Sequence, residues 1–257
     1  MSDVVTTSRR GRVLEITLDR PKVNAIDAAT SRALGEAFRA LQDDTGLSVG
    51  IVTGTGRFFS AGWDIKAGED PVADMGVGGF AGLTEYWDLT KPVIAAVNGM
   101  ALGGGFELAL AADMIVAAEG VEFGLPEAGL GIIPDSGGVL RLPRIIPRPI
   151  AMELMMTGRR ATAEELARWG CINRVVPAEA LMDEARTLAD AVAASAPLSL
   201  QAIKEVDRAA EGLGLKDAFA RIRQGDLPAY SGLYDSADAA EGVAAFAERR
   251  VPNWTGR

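Results

Sequence analysis

Short runs of aliphatic and β-branched residues, several closed by glycine, recur through the first half of the chain, at positions 13–18, 49–54, 92–99 and 114–116. Their length and composition predict strands. Between the first two, apolar positions over 27–42 recur with the helical period, and Asp27 stands where an N-cap belongs. Further helices are predicted over 78–89 and 105–111. Strands alternating with helices point to an α/β architecture with ligand groups gathered at strand carboxyl ends. The repeated strand–glycine punctuation suggests a coiled, repeating unit. Residues 45–50 and 67–79 read as loops, and the second, with Gly76, Gly78 and Gly79, has the composition of a segment that moves over a site.

The pattern changes after Ser136. From there the chain carries helical periodicity with almost no strand signal apart from 172–176, and residues 178–194, 197–210 and 235–249 read as amphipathic helices. Their apolar faces need a surface to pack on, either this chain's own core or a second subunit. The expected organisation is a core over 1–195 followed by a helical region over 196–257.

Composition narrows the function classes. The 257 residues are 48% hydrophobic, enough for one large domain or a domain with a small appendage. The apolar stretches are strand-sized, too short for a membrane-spanning helix. A formal charge of -9 argues against a nucleic-acid partner, which would need clustered excess Lys and Arg. Residues 1–10 are polar, without the apolar core of a secretory leader, and the single Cys171 allows no internal disulfide. A cytoplasmic protein is expected. The sequence contains no histidine, so no Ser-His-Asp or Cys-His arrangement and no His-based metal site can be built within the chain. Acid–base chemistry near neutral pH falls to Asp, Glu, Lys, Tyr or Cys, and carboxylates lead.

Four segments could carry such chemistry. Phe58-Phe59-Ser60-Ala61-Gly62-Trp63-Asp64-Ile65-Lys66 places small residues beside aromatics, where backbone N–H groups can approach a ligand, although a tight turn alone would explain it. Gly103-Gly104-Gly105-Phe106-Glu107 opens a helix with three glycines, exposing N–H groups and the positive end of the helix dipole to an oxyanion. Glu107 in that first turn is either a functional acid or simple dipole compensation. In the third segment, Glu127 and Asp135 lie in an apolar Gly/Pro-rich run from Phe123 to Gly138, where desolvation would raise a carboxyl pKa and suit a proton donor. The alternative is that they are turn residues, with Asp135 an N-cap. The fourth is the aromatic set Trp63, Phe80, Tyr86, Trp87 and Phe106, usually core.

Together these segments resemble the crotonase (enoyl-CoA hydratase/isomerase) superfamily over nearly the whole chain. The carrying motifs are Leu18-Asp19-Arg20-Pro21-Lys22-Val23-Asn24-Ala25, Phe59-Ser60-Ala61-Gly62-Trp63-Asp64-Ile65-Lys66, Gly103-Gly104-Gly105-Phe106-Glu107-Leu108-Ala109 and Pro126-Glu127-Ala128. Within the superfamily the chain resembles the branch that interconverts crotonobetainyl-CoA and carnitinyl-CoA. That likeness rests on Ser60-Ala61-Gly62-Trp63-Asp64, Gly79-Phe80-Ala81-Gly82-Leu83-Thr84-Glu85, Pro134-Asp135-Ser136-Gly137-Gly138-Val139-Leu140-Arg141-Leu142-Pro143 and Ala247-Glu248-Arg249-Arg250.

The resemblance implies a crotonase-type spiral of ββα units with a C-terminal helical trimerisation region, assembled as a homotrimer or a dimer of trimers. It implies an acyl-CoA thioester substrate and no cofactor beyond the CoA moiety. Glu107 would activate the water and Glu127 would exchange the proton at the α-carbon. The backbone N–H groups of Trp63 and Gly104 would hold the thioester oxygen. Lys22, Ala25, Ile65 and Lys66 fall where the family contacts the nucleotide part of CoA, and Ala61, Asp64, Pro126 and Asp135 complete the substrate-contacting set. Glutamates at both catalytic positions favour hydration. Asp135 departs from the glycine common among hydratases, which keeps a general hydratase or an enoyl/dienoyl-CoA isomerase as alternatives. A non-catalytic binding protein on the same fold should lack a glutamate or the glycine cluster, and this chain lacks neither.

Overall fold

The computed structural model describes residues 4–68 and 73–257, so the expected loop over 67–79 lies partly outside the described residues, as do the first three residues of the polar N-terminus. The chain opens with an antiparallel pair, β1 (Val5–Arg10) and β2 (Val13–Leu18), then β3 (Ala25–Ile26) and helix α1 (Ala28–Asp43). β4 (Val49–Gly54) leads to the short β5 (Phe58–Ser60) and β6 (Gly62–Trp63). Next come β7 (Val93–Val97), β8 (Met100–Leu102), α2 (Gly104–Ala111), β9 (Met114–Ala118) and β10 (Glu122–Gly124). They are followed by α3 (Gly138–Ile145), α4 (Arg148–Thr157), β11 (Ala161–Thr162), α5 (Ala163–Arg168) and β12 (Arg174–Val176). Helices α6 (Leu181–Ala193), α7 (Pro197–Ala210), α8 (Leu215–Ile222), α9 (Pro228–Ser231) and α10 (Ala237–Glu248) finish the fold.

A six-stranded sheet, ordered β1-β2-β4-β7-β9-β12, is parallel after its first pair, and a four-stranded sheet is ordered β11-β10-β8-β5. Three successive strand pairs, β4–β5, β7–β8 and β9–β10, each place one strand in the large sheet and the next in the small one. Successive passes stack in parallel register, Ile51 beside Ile94 in one sheet and Ala101 beside Phe123 in the other. This is the coil that the strand–glycine punctuation pointed to. The glycines permit the crossings: a Cβ on Gly54 would lie 2.5 Å from the Phe59 carbonyl oxygen, and one on Gly99 2.4 Å from that of Arg57.

Helices cover both faces of the large sheet. Asp27 caps α1, its Oδ1 accepting the Thr30 N–H at 2.7 Å, and Leu34, Phe38 and Leu41 bury one helical face against Leu14, Ile16 and Val52. The opposite strand face, Val49, Ile51, Ile94 and Val116, is covered by Leu181, Ala185 and Ala189 of α6, spaced at one per helical turn. α7 is fixed beyond the sheet by Lys204, whose Nζ donates to Asp113 Oδ2 at 2.8 Å and to the Lys91 carbonyl at 3.0 Å. No described helix is long and apolar enough to cross a membrane.

Several expected elements differ. No helix spans 78–89; a single 3-10 turn, Phe80–Gly82, stands there. Gly78, Gly79, Ala81 and Gly82 all have φ between 53° and 83°, a left-handed run that no α-helix accepts. The reason is packing, since a Cβ on Gly82 would lie 2.1 Å from the Gly35 nitrogen of α1. The loop over 45–50 ends early because β4 starts at Val49, and the late region contains β11, which lacks a strand-like run. Asp135 is exposed and caps nothing; Gly137 holds the N-cap position of α3.

Candidate active site

The site forms where the N-terminus of α2 meets the edge strands. A Cβ on Gly62 would lie 2.6 Å from the Gly104 nitrogen, and one on Gly105 would lie 2.1 Å from the Ser60 carbonyl oxygen. Only glycine lets the backbones come this close. The first N–H groups of α2, including that of Gly104, have no intrahelical acceptor and carry the positive end of the dipole. Across the β3–β6 ladder the Asp64 N–H donates to the Ile26 carbonyl at 2.9 Å. By strand alternation the Trp63 N–H faces the other way, toward α2, against which β6 packs. Two backbone donors thus border one opening. The Phe80 ring lies over it: a Cβ on Gly104 would meet that ring at 2.3 Å, and the Trp63 and Phe80 rings stand 6.1 Å apart.

Both glutamates flank this helix start. Glu107, in the first turn of α2, is 3% exposed, and its Oε1 accepts the Gly138 N–H at 2.8 Å. Burial pushes its carboxyl up to about 7; the Gly138 N–H opposes this, Glu127 and Asp135 add to it by repulsion, and Arg141 opposes it. Glu127, opening the 3-10 turn Glu127–Leu130, is also buried. A Cβ on Gly103 would lie 2.8 Å from its Oε1, which brings the second acid against the residue capping α2. Burial raises its pKa, its own backbone N–H opposes this, and Asp135 adds to the rise. Among the described residues Glu127 Oε2 is buried without a hydrogen-bond partner, an arrangement that costs ~1–3 kcal/mol and suits an atom engaged by substrate.

Ala61 abuts the same helix cap, its carbonyl oxygen 4.0 Å from where a Gly103 Cβ would be, and Pro126 immediately precedes Glu127. β3–β6 pairing sets Ala25 beside Gly62, and Lys22, Ile65 and Lys66, outside that ladder, are exposed. Asp64 is engaged within the protein: its Oδ2 accepts Arg20 Nη1 at 2.7 Å and its Oδ1 the Lys66 N–H at 3.1 Å. Asp135 is exposed, and its charge reaches both glutamates. The aromatics divide. Phe106 is core, stacked edge-on to Phe123 at 5.1 Å, and Trp63 and Phe80 sit at the opening. Tyr86 and Trp87 instead line a separate pocket of about 150 Å³ with Arg141, Lys204 and Arg208, a poor environment for a cation. Sequence reasoning passed over Gly138 and Arg141 as parts of the site. The Gly137-Gly138 pair before a helix was the available signal.

A stacked two-sheet coil with two buried glutamates at a glycine-rich helix start defines an acyl-thioester enzyme of crotonase type. The family model described as enoyl-CoA hydratase/isomerase matches residues 8–257, and the chain belongs to that family. A carnitinyl-CoA dehydratase from Salmonella paratyphi B is 59% identical over 261 residues, covering 100% of both chains. The crystal structure of an enoyl-CoA hydratase from Mycobacterium tuberculosis H37Rv superimposes with a TM-score of 0.90 at 43% identity, covering 99% of each chain. That of a carnitinyl-CoA hydratase from Mycobacterium avium gives 0.76 at 41% identity, covering 100% of each.

The raised Glu107 pKa has a consequence for stability. Between the ordinary glutamate value of 4.5 and about 7, the folded protein holds a proton that the unfolded chain has released. Stability therefore falls as pH rises through that window, and the full cost persists above it. Glu107→Gln removes the titration and keeps an acceptor for Gly138. At pH 8 the variant is expected to be more stable than the unsubstituted protein, by on the order of 3 kcal/mol, with the gain vanishing near pH 4.5. Urea denaturation at both pH values checks this; an equal difference at the two would contradict it.

Proposed function

We propose that this chain reversibly hydrates an α,β-unsaturated acyl-CoA, and that its own pair is crotonobetainyl-CoA and carnitinyl-CoA. Membership of the enoyl-CoA hydratase/isomerase family together with the full-length likeness to a carnitinyl-CoA dehydratase makes it a hydro-lyase. The observation that carries the reading is the pair of buried carboxylates, Glu107 and Glu127, on either side of the α2 N-terminus. The thioester oxygen sits between the Trp63 and Gly104 N–H groups, which stabilise the negative charge that builds there; losing one such donor typically costs ~3–4 kcal/mol. Glu107 takes a proton from water as its oxygen bonds to Cβ, and Glu127 delivers a proton to Cα. Dehydration is the reverse. Neighbouring carboxyls in unlike surroundings hold opposite protonation states, which this exchange requires. Lys22 and Lys66, both exposed, face the phosphates of CoA, and no cofactor beyond CoA enters the chemistry. Glu107→Gln and Glu127→Gln are each expected to keep CoA-ester binding while hydration falls roughly 10²–10⁴-fold. Turnover near that of the unsubstituted protein in either would remove that residue from the mechanism.

The full-length likeness to carnitinyl-CoA dehydratases and the exposed Asp135 carboxylate, whose charge reaches both acids, support this acyl group. A trimethylammonium head cannot donate hydrogen bonds and is recognised by carboxylates and aromatic faces, the latter contributing ~0.5–2 kcal/mol. The Trp63–Phe80 pair supplies the faces. Crotonobetainyl-CoA is expected to exceed crotonyl-CoA by at least about tenfold in kcat/KM, and Asp135→Asn to erode that preference more than it slows crotonyl-CoA. Equal rates on the two thioesters would reduce the chain to a general enoyl-CoA hydratase.

Assembly belongs to the same reading: a homo-oligomer built on trimers, with 196–257 at the interface. Phe246 is 88% exposed and Leu215 77%. A groove of about 490 Å³ is lined by Ala202, Ile203, Val206, Tyr230 and Leu233. Apolar surface of that extent calls for a partner. Sedimentation that gave a stable monomer at micromolar concentration would contradict it. A cytoplasmic setting fits the lone buried Cys171, whose thiol burial pushes up to about 12.

A further inference from the structure

The mechanism above engages two glutamates and two backbone donors, and leaves the half-buried cation beside Glu107 without a part. We infer that Arg141 is a positioning residue for Glu107, bracing the turn that presents the Gly138 N–H against the segment around Thr84. Arg141 lies one turn into α3, and its Nη2 donates to the Thr84 carbonyl at 2.6 Å while Nη1 reaches the Ser136 carbonyl at 3.5 Å. Its backbone N–H donates to the Gly137 carbonyl at 2.7 Å. Gly137 has φ +116°, and a Cβ there would lie 1.8 Å from Nη1, so the guanidinium occupies the space a side chain would fill. The next residue, Gly138, donates to Glu107 Oε1. The chain of contacts from Thr84 through Arg141 to Gly138 therefore ends on the glutamate itself.

The charges support the same part. Arg141 gives its hydrogen bonds to neutral carbonyls, although Glu85 and Glu211 stand within electrostatic reach, and Glu211 pairs with Arg144 at 2.8 Å. Arg208, from α7, is a like charge within its electrostatic reach. Glu107 faces Glu127 from the 3-10 turn and Asp135 from the turn before α3, both of which disfavour its ionised form, and Arg141, which favours it. Without the guanidinium the base would hold its proton to higher pH and its Gly138 contact would loosen. Such a residue touches no reacting atom and acts through Glu107, so the inference rests on Glu107 being the base.

The test compares Arg141→Gln and Arg141→Lys, with Glu107→Gln assayed alongside, using kcat, CoA-thioester binding and the pH profile of kcat/KM for hydration. Arg141→Gln is expected to bind the thioester within about twofold of the unsubstituted protein, while kcat falls roughly ten- to a hundredfold, the scale of a misplaced catalytic group. The acid limb of its profile should move to higher pH. Arg141→Lys keeps a charge but not the reach to two carbonyls, so its limb should stay near that of the unsubstituted protein while kcat still falls. An unmoved limb with kcat near that of the unsubstituted protein in Arg141→Gln overturns the inference. So does failure of both Arg141 variants to fold, which would make Arg141 a structural residue alone. Full activity of Glu107→Gln would instead remove the reading of Glu107 itself, whereas loss in Glu107→Gln with an unmoved limb in Arg141→Gln removes only the role of Arg141.

Discussion

The close approach of bare backbone at the start of α2 is the constraint on which the rest of the site depends. Gly62, Gly103 and Gly105 each occupy places where a Cβ would come within 2.8 Å of the Gly104 nitrogen, of a Glu127 oxygen or of the Ser60 carbonyl. At Gly62 and Gly105 the near atoms are backbone and forbid any side chain, and at Gly103 a φ of +53° and the Glu127 carboxylate disfavour one, so the N–H groups of the helix start reach the opening, and the acid from one pass of the coil stands beside the acid from the next. The stacking of β5, β8 and β10 in the small sheet sets this spacing. The coil thus serves the chemistry directly, by delivering residues about 20–40 positions apart in sequence to the carboxyl ends of adjacent strands.

Gathering two carboxyls there costs stability. Desolvation leads the causes that raise Glu107 and Glu127, and mutual repulsion adds to it at Glu107. The fold offsets this only in part, with one N–H from Gly138 and the nearby field of Arg141, and leaves Glu127 Oε2 without a protein partner. A site optimised for stability would satisfy both acids fully. Full satisfaction would also lower their pKa values and remove the proton that the proposed hydration needs one of them to carry at neutral pH. The incomplete bonding and the function are the same fact seen from two sides.

What could be read from the sequence was whatever is encoded locally. The N-cap at Asp27, the apolar period of α1, the strand over 49–54 and the bounds of α7 follow from neighbouring residues alone, and the structure has them. The 78–89 segment misleads because its helical apolar spacing is overridden by four left-handed residues, three of them glycines, whose geometry is set by contact with α1. The bond from Gly138 to Glu107 spans 31 positions, and the Arg20–Asp64 ion pair spans 44. No local pattern announces either. The Arg20 partner of Asp64 comes from 44 positions away, and the three basic residues around the Trp87 pocket come from α3 and α7.

On the proposed mechanism, the distribution of charge around the Tyr86–Trp87 pocket and around the two glutamates would separate substrates in a way that shape alone does not. On the Tyr86–Trp87 side, Arg141, Lys204 and Arg208 stand against Asp113 and Glu211, a balance less favourable to a positively charged acyl head than that around Asp135. On the other side, Asp135 joins Glu107 and Glu127, and its charge raises the pKa of both. For a neutral acyl chain that third carboxylate is a liability, since it makes the base harder to ionise and offers nothing to bind. A quaternary ammonium near Asp135 reverses the sign: it compensates the carboxylate, lowers the field on Glu107 and favours the ionised base at the moment substrate is bound. Electrostatic compensation of this kind operates on binding and on the proton transfer together, so a substrate lacking the cation forgoes both contributions rather than one.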